Sequence, residues 1–328
     1  MNHETTFDSE ESAIISYSLT MFPLHGTNAE IADPTDLSAM WLPLEILPLV
    51  AVILGAGVYL FGVWRLRKRG DSWPIGRTIS WVFGGMGSIF LATQGPLAAL
   101  DTVLLWTHMV QHMILTMIAP VFLALGAPMT LALRTFPKGP RTLLLRFLHS
   151  GYAKLVTFPA FAGLLYIMNP WILYYTGLYE ITLTNQFWHN VNHFHFLAIG
   201  CLWVWSLVGI DPMPRMGYPL RLVTTFITLP FHAFLGVTMM NSENLIAQGY
   251  YESLARTWGP SIAEDQEIAG GLLWVAGDLV GLMFFVVLLI QWSKASGREA
   301  IRVDRDLDRR DAEIAAQAAN QEVGSERD

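Results

Sequence analysis

Seven apolar stretches constrain the fold of this chain more than any other feature of its sequence. Each is close to the ~20 residues that an α-helix needs to cross a lipid bilayer. Hydrophobic residues make up 53% of the 328 residues and charged residues only 14%, which is more apolar surface than one soluble core can bury. The sequence therefore predicts an all-α, polytopic membrane protein. The seven predicted transmembrane helices lie at about 41–64, 77–100, 104–125, 155–175, 187–209, 220–240 and 269–292.

The basic residues predict the orientation of these helices. Of the 20 Lys and Arg residues, all but Arg256 follow the first, third or fifth stretch or lie in the C-terminal tail. Because cytoplasmic connections are enriched in Lys and Arg, we expect the N-terminus outside and the C-terminus in the cytoplasm. The predicted parts are an acidic extracytoplasmic arm (1–40), a transmembrane domain (41–293) and a charged cytoplasmic tail (294–328), the tail beginning as a short surface helix and ending in disorder.

Two histidine pairs stand out within the apolar stretches. His108 and His112, and later His189 and His193, are each four residues apart, a spacing that places both members on one face of a helix. At ~1.5 Å of rise per residue, both pairs fall at similar depth in the outer half of the membrane. The other polar or sulfur-containing side chains predicted in this layer are His232, Asp278, Gln94, Met109, Met113, Met239 and Met240.

The side chains of this layer favour a metal site. Ionisable groups inside a membrane are costly and are normally placed for function. Imidazole with thioether, without thiolates or a carboxylate-rich cage, suits copper better than magnesium or calcium, and zinc and haem iron stay open. The alternative is that the histidines form interhelical hydrogen bonds and that the methionines are packing. The predicted ligands are His108, His112, His189, His193, His232, Met109 and Met113, with Asp278 and Gln94 supporting them through hydrogen bonds.

Several further features refine this prediction. His112 and His193 are expected to be the closest pair across the helix interface, whereas His195 is expected to face away. The single cysteine, Cys201, excludes an internal disulfide and a thiolate cluster. The acidic outer connection 241–267 is expected to be solvated. The chain lacks hydrolase and kinase motifs, and it lacks a basic patch interleaved with aromatic residues, so neither enzymatic activity nor nucleic-acid binding is expected.

Short motifs follow one another in order between residues 41 and 292. They include His108-Met109-Val110-Gln111-His112-Met113, Ala119-Pro120, Asn169-Pro170-Trp171, Trp188-His189, Asp211-Pro212, Pro230-Phe231-His232 and Asp265-Gln266. Together they resemble the CtaG-type cytochrome c oxidase assembly factors of bacteria. The resemblance implies a seven-span plasma-membrane protein that helps to mature a caa-type haem–copper oxidase, with copper handling at the outer face. A different, single-span copper chaperone of the same name has cysteine ligands that this chain lacks.

The leading hypothesis is thus a non-enzymatic assembly factor, embedded in the lipid bilayer, that holds copper between the third, fifth and sixth helices. Its predicted partners are cytochrome c oxidase subunits, one of which receives the copper. One alternative is a membrane redox protein that holds haem by histidines on facing helices. Another is a metal-free scaffold for oxidase subunits.

Overall fold

The predicted all-helical fold is confirmed by a computed structural model, which describes residues 39–41, 44–212 and 216–325, with side chains as far as residue 314. No strand occurs in these residues. The seven longest helical segments are α1 (Ile46–Lys68), α2 (75–93), α3 (Leu105–Leu125), α4 (Pro159–Tyr174), α5 (Gln186–Val208), α6 (Tyr218–Met240) and α7 (Ile262–Ser325). Shorter helices in the connections are Ala39–Trp41, Pro96–Leu100, Pro128–Thr135, Lys138–Leu148, Gly151–Val156, Leu178–Thr184 and Gln248–Ser253.

Within the described ranges, five helices are long and apolar enough to cross a membrane: α1, α3, α5, α6 and α7. Several apolar helices in one chain indicate a multi-pass membrane protein. On α1, for example, Ile53 and Val58 are 60% and 71% exposed, as expected for side chains that face lipid. The segments α2 and α4 coincide with the second and fourth predicted spans, but α4 has only 16 residues. The number of spans and their orientation stay predictions.

Some predicted boundaries are wrong. The second stretch was expected to remain helical to residue 100, but α2 ends at Thr93 because Gln94 is extended and Gly95 has a φ of +69°, which favours glycine. The last helix begins earlier than predicted, at Ile262, and continues without a break to Ser325. The predicted tail is therefore a long continuation of α7 rather than a short surface helix. The predicted N-terminal arm lies almost wholly outside the described residues.

The most buried of the five candidate spans is α3, which contacts α5 and α7. Pro120 has no N–H for the Thr116 carbonyl, and residues Ile114–Ile118 are π-helical. Against this segment α5 places Gly200, where an added Cβ would stand 2.2 Å from the Thr116 carbonyl oxygen. Only glycine permits so close an approach, as is common between helices in membranes. This contact fixes α3 against α5.

Two buried aspartates cap helices that lie far away in the sequence. At the start of α7, Asp265 is 2% exposed and accepts hydrogen bonds from the backbone N–H groups of Leu105 (2.9 Å) and Trp106 (3.0 Å). Asp211 similarly accepts a hydrogen bond from the Thr130 N–H at 2.8 Å. Asp265 was expected to be solvated with the rest of the acidic outer connection. That expectation is wrong for Asp265, because its carboxylate satisfies the first N–H groups of α3.

Candidate metal centre

Four histidines on α3 and α5 form one buried cluster, the histidine tetrad: His108, His112, His189 and His193. Along each helix the ring centres are 4.0 Å (His108–His112) and 4.3 Å (His189–His193) apart. Across the interface His108 lies 5.8 Å from His189, and His112 lies 5.9 Å from His193. The expectation that His112 and His193 form the closest cross-helix pair is therefore wrong. Both helices carry the same four-residue spacing and run in the same direction, so the two cross-helix distances between ring centres are nearly equal.

An aspartate and a glutamine connect members of the tetrad. Asp101 is 1% exposed, and its Oδ2 lies 3.0 Å from His189 Nε2 and accepts a hydrogen bond from Gln111 Nε2 at 2.9 Å. Gln111 Oε1 in turn accepts a hydrogen bond from His193 Nε2 at 2.9 Å. Asp101, His189 and His193 each offer one ligand atom within 4.8 Å of the others. The sequence reasoning missed Asp101 and Gln111, although one is a carboxylate between two apolar stretches and the other adjoins His112.

His108 and His112 have different surroundings. His112 Nε2 lies 3.2 Å from the amide nitrogen of Asn192, which donates, and its Nδ1 lies 3.1 Å from the Tyr174 hydroxyl. The Tyr174 hydroxyl donates in turn to Met109 Sδ at 3.8 Å. His108 is fully buried, and neither of its ring nitrogens makes a hydrogen bond of normal geometry with a described residue, although the Asp101 backbone lies close. An unsatisfied buried polar group costs about 1–3 kcal/mol, so His108 calls for an explanation.

A cavity of about 20 Å³ adjoins the tetrad, which is room for one water-sized occupant. It brings together four of the predicted ligands, and we call it the methionine cavity. The fifth predicted histidine, His232, reaches it from α6, where its ring packs 5.0 Å from that of Tyr166. The lining residues are Met109, His112, Met113, Thr116, Met117, Tyr166, Pro170, Tyr174, Phe196, His232 and Leu273.

Neither of the two predicted supporting residues, Gln94 and Asp278, forms a described hydrogen bond with an imidazole of the tetrad. Gln94 is buried, but its side chain accepts from the backbone N–H of Glu45 at 3.1 Å and donates to the Glu45 carbonyl at 3.0 Å, which ties the end of α2 to the start of α1. Asp278 follows Gly277, which packs on His232, but no hydrogen bond joins its carboxylate to an imidazole among the described residues. Asp101 and Gln111 hold the positions expected for these two residues. His195 is exposed on α5, as expected.

Comparison with known proteins identifies the family. The model of the family described as cytochrome c oxidase caa3 assembly factor matches residues 57–295, which contain the whole tetrad. The chain belongs to this family. Uncharacterized proteins of Mycobacterium bovis and Mycobacterium tuberculosis are each 35% identical to it over 300 residues, and one of Mycobacterium leprae is 33% identical over 290 residues. These alignments cover 88%, 88% and 85% of this chain but 45%, 45% and 44% of the relatives, so the chain spans less than half of their length. No solved structure matches.

Tyr179 covers one side of the tetrad, and Tyr251 is hydrogen-bonded to it. Tyr179 packs on His108 with ring centres 4.9 Å apart, and its hydroxyl forms a 2.7 Å hydrogen bond with that of Tyr251. Both tyrosines belong to connecting helices, Leu178–Thr184 and Gln248–Ser253. Burial raises the pKa of both phenols well above its usual value, so they are neutral at physiological pH. The tetrad is therefore closed on this side by uncharged rings.

The chemistry available to a bound ion differs between the two neighbouring groups of donors. The methionine cavity offers imidazoles and thioethers, and no carboxylate is among its lining residues. Asp101, His189 and His193 instead offer a carboxylate with two imidazoles. Thioethers select soft ions such as Cu(I), whereas a mixture of carboxylate and imidazole suits divalent ions of intermediate hardness. Both sets of residues fit a metal ion.

Proposed function

We propose that this assembly factor binds copper between α3, α5 and α6 and passes it to a subunit of cytochrome c oxidase. The supporting observation is that His112, His232, Met109 and Met113 line one small cavity. Two imidazoles and two thioethers are a donor set that favours Cu(I). The cavity has room for a single ion. Tyr174, which also lines the cavity, forms a hydrogen bond with His112 and holds that imidazole in position. Family membership supplies the oxidase as the target. The role is one of carrying, without catalysis.

The proposal includes a seven-span topology in the bacterial plasma membrane, with the N-terminus outside. In support, α2 and α4 coincide with two predicted spans beyond the five longest apolar helices. Nineteen of the 20 basic residues then fall on the cytoplasmic side. In this orientation α3 and α5 begin at the outer surface. The tetrad lies within their first two or three turns, where an oxidase subunit on the outer side can receive an ion.

A metal-free scaffold for oxidase subunits is the second candidate. The hydrogen bonds that join Asp101 to His189 and Gln111 to His193 favour it, because interhelical polar contacts of this kind stabilise helix packing in membranes. His108 argues against it, since that ring forms no such bond of normal geometry with the part of the chain that the structure describes. Haem has less support, because the methionine cavity holds about one water-sized occupant and a porphyrin is far larger.

Metal analysis of the purified protein tests copper binding. Full-length protein in lipid nanodiscs is loaded with Cu(I) under anaerobic, reducing conditions, and copper per chain is measured after dialysis. We expect about one firmly held Cu(I) in the methionine cavity. His112→Ala and the double variant Met109→Leu/Met113→Leu should each release it, whereas His195→Ala, on the far face of α5, should retain it. Unchanged copper after His108, His112, His189 and His193 are replaced together would favour the scaffold.

Oxidase activity in cells tests the transfer. Strains that express each variant at matched membrane abundance are compared, with and without added copper. Activity should fall in His112→Ala and His193→Ala and stay normal in His195→Ala, and added copper should restore part of it. Equal activity in all three strains would contradict copper delivery through this centre.

A further inference from the structure

We propose that a second metal site lies beside the methionine cavity and binds a divalent cation such as Zn²⁺ or Cu²⁺ through Asp101, His189 and His193, with His108 as the fourth ligand. A role of this second site in copper transfer rests on the proposed function. The site itself stands on its own residues and does not require Cu(I) in the methionine cavity.

The ligand atoms of Asp101, His189 and His193 are arranged nearly as they would be around a bound metal ion. Their ligand atoms already lie within 4.8 Å of one another, and Asp101 Oδ2 is 3.0 Å from His189 Nε2. Bonds of about 2.0–2.2 Å to a tetrahedral Zn²⁺ place neighbouring donor atoms roughly 3.3–3.6 Å apart. Side-chain movements of about 1 Å would therefore complete the shell. All three side chains are buried, so few waters compete for the ion.

His108 supplies an independent observation that points to a ligand. It is fully buried, and both ring nitrogens lack a hydrogen bond of normal geometry to any described residue. Its ring centre is 5.8 Å from that of His189. Two imidazoles bound to one tetrahedral ion have ring centres about 5 Å apart, so a small approach of His108 brings it into the shell. Binding would satisfy a group that the protein otherwise leaves unsatisfied at full burial.

The carboxylate distinguishes this site from the methionine cavity. Asp101 brings a negative charge toward a dication in a region of low dielectric, where charge neutralisation has a large effect. The methionine cavity has no carboxylate in its lining, which suits a monovalent, soft ion. Gln111 is the positioning residue, because its amide hydrogen-bonds both Asp101 and His193. The two sites are therefore expected to bind ions of different charge side by side.

Zinc binding tests the proposal without any change of oxidation state. Full-length protein in nanodiscs is titrated with Zn²⁺ against a chelator, and Cu(I) is titrated separately under anaerobic conditions. We expect one Zn²⁺ per chain, bound more than about tenfold more weakly by Asp101→Asn, whose Cu(I) affinity should change less than about twofold. Met109→Leu/Met113→Leu should show the opposite pattern. Asp211→Asn is the matched control, a second buried aspartate that caps a helix elsewhere and should leave Zn²⁺ affinity unchanged.

Further measurements keep the proposal open to refutation if Asp101→Asn does not fold. His189→Gln is the second variant, and it should also weaken Zn²⁺ binding because it removes a proposed ligand. X-ray absorption of the zinc-loaded wild-type protein should show nitrogen and oxygen neighbours without sulfur. Failure of the wild-type chain to bind Zn²⁺, sulfur in the zinc shell, or an equal loss of Zn²⁺ in Asp211→Asn would overturn the second site. Zinc binding without Cu(I) binding would uphold this site and reject the copper proposal. The two failures are thus distinguishable.

Discussion

Gly200→Ala is the most direct test of how the tetrad is held together. The new methyl carbon would stand 2.2 Å from the Thr116 carbonyl oxygen, against about 3.3–3.6 Å for a normal carbon–oxygen contact. The obstacle is backbone, so α3 and α5 must separate locally by about 1 Å. Overpacking of this kind costs about 1–3 kcal/mol. Since a binding site needs its ligands held to within about 0.5 Å, the separation should also widen the tetrad, two turns away.

The assay combines thermal unfolding in nanodiscs with Cu(I) and Zn²⁺ affinities. We expect a lower melting temperature for Gly200→Ala and about tenfold weaker binding of both ions, because about 1.4 kcal/mol corresponds to a factor of ten. Gly57→Ala is the matched control, since it is also a helical glycine and its added Cβ meets nothing within 4 Å. An alanine at position 200 that leaves both stability and affinity at wild-type values would show that the close approach of α3 and α5 does not position the site.

Three further predictions concern the cap on α3, the contact between Tyr174 and His112, and the topology. Asp265→Ala removes two charge-assisted hydrogen bonds at the start of α3 and should lower the free energy of unfolding by about 2–4 kcal/mol. The control Glu267→Ala, at an exposed neighbouring residue, should have little effect. Denaturant unfolding measures both variants, and equal stabilities would contradict the role of the Asp265 cap. Tyr174→Phe keeps the ring but loses the hydroxyl next to His112, so Cu(I) affinity should fall about tenfold, and an unchanged competition titration would count against that role. A reporter that is active only in the cytoplasm should be silent at residue 40 and active at the C-terminus, and the reverse pattern would reject the topology.

The sequence predicts those parts of the fold that depend on apolar length and helical spacing. Stretches of membrane-crossing length indicated the helices, and the i,i+4 spacing placed each histidine pair on one face of its helix. The end of α2 and the start of α7 were misjudged because they depend on local backbone geometry at Gly95 and on the capping hydrogen bonds between Ser261 and Glu264. Apolar patterns do not encode such contacts.

The supporting residues of the site were harder to predict than its histidines. Gln94 is buried, but its amide satisfies the Glu45 backbone beside the break that ends α2. Asp101 was overlooked because it sits between two apolar stretches, and only the packing of α3 against α5 shows that it meets His189. Which polar group supports which imidazole depends on the rotation of each helix, and one sequence does not fix that rotation.

The cap on α3 also sets an order of assembly during synthesis. The carboxylate of Asp265 that binds the first N–H groups of α3 lies 160 residues further along the chain. Because the ribosome makes the chain from its N-terminus, α3 is inserted before α7 has been made. The backbone N–H groups of Leu105 and Trp106 therefore lack the Asp265 cap until α7 is inserted. The α3 histidines reach their final setting only after the last helix has been inserted. A nascent or truncated chain that lacks α7 therefore lacks the finished histidine tetrad.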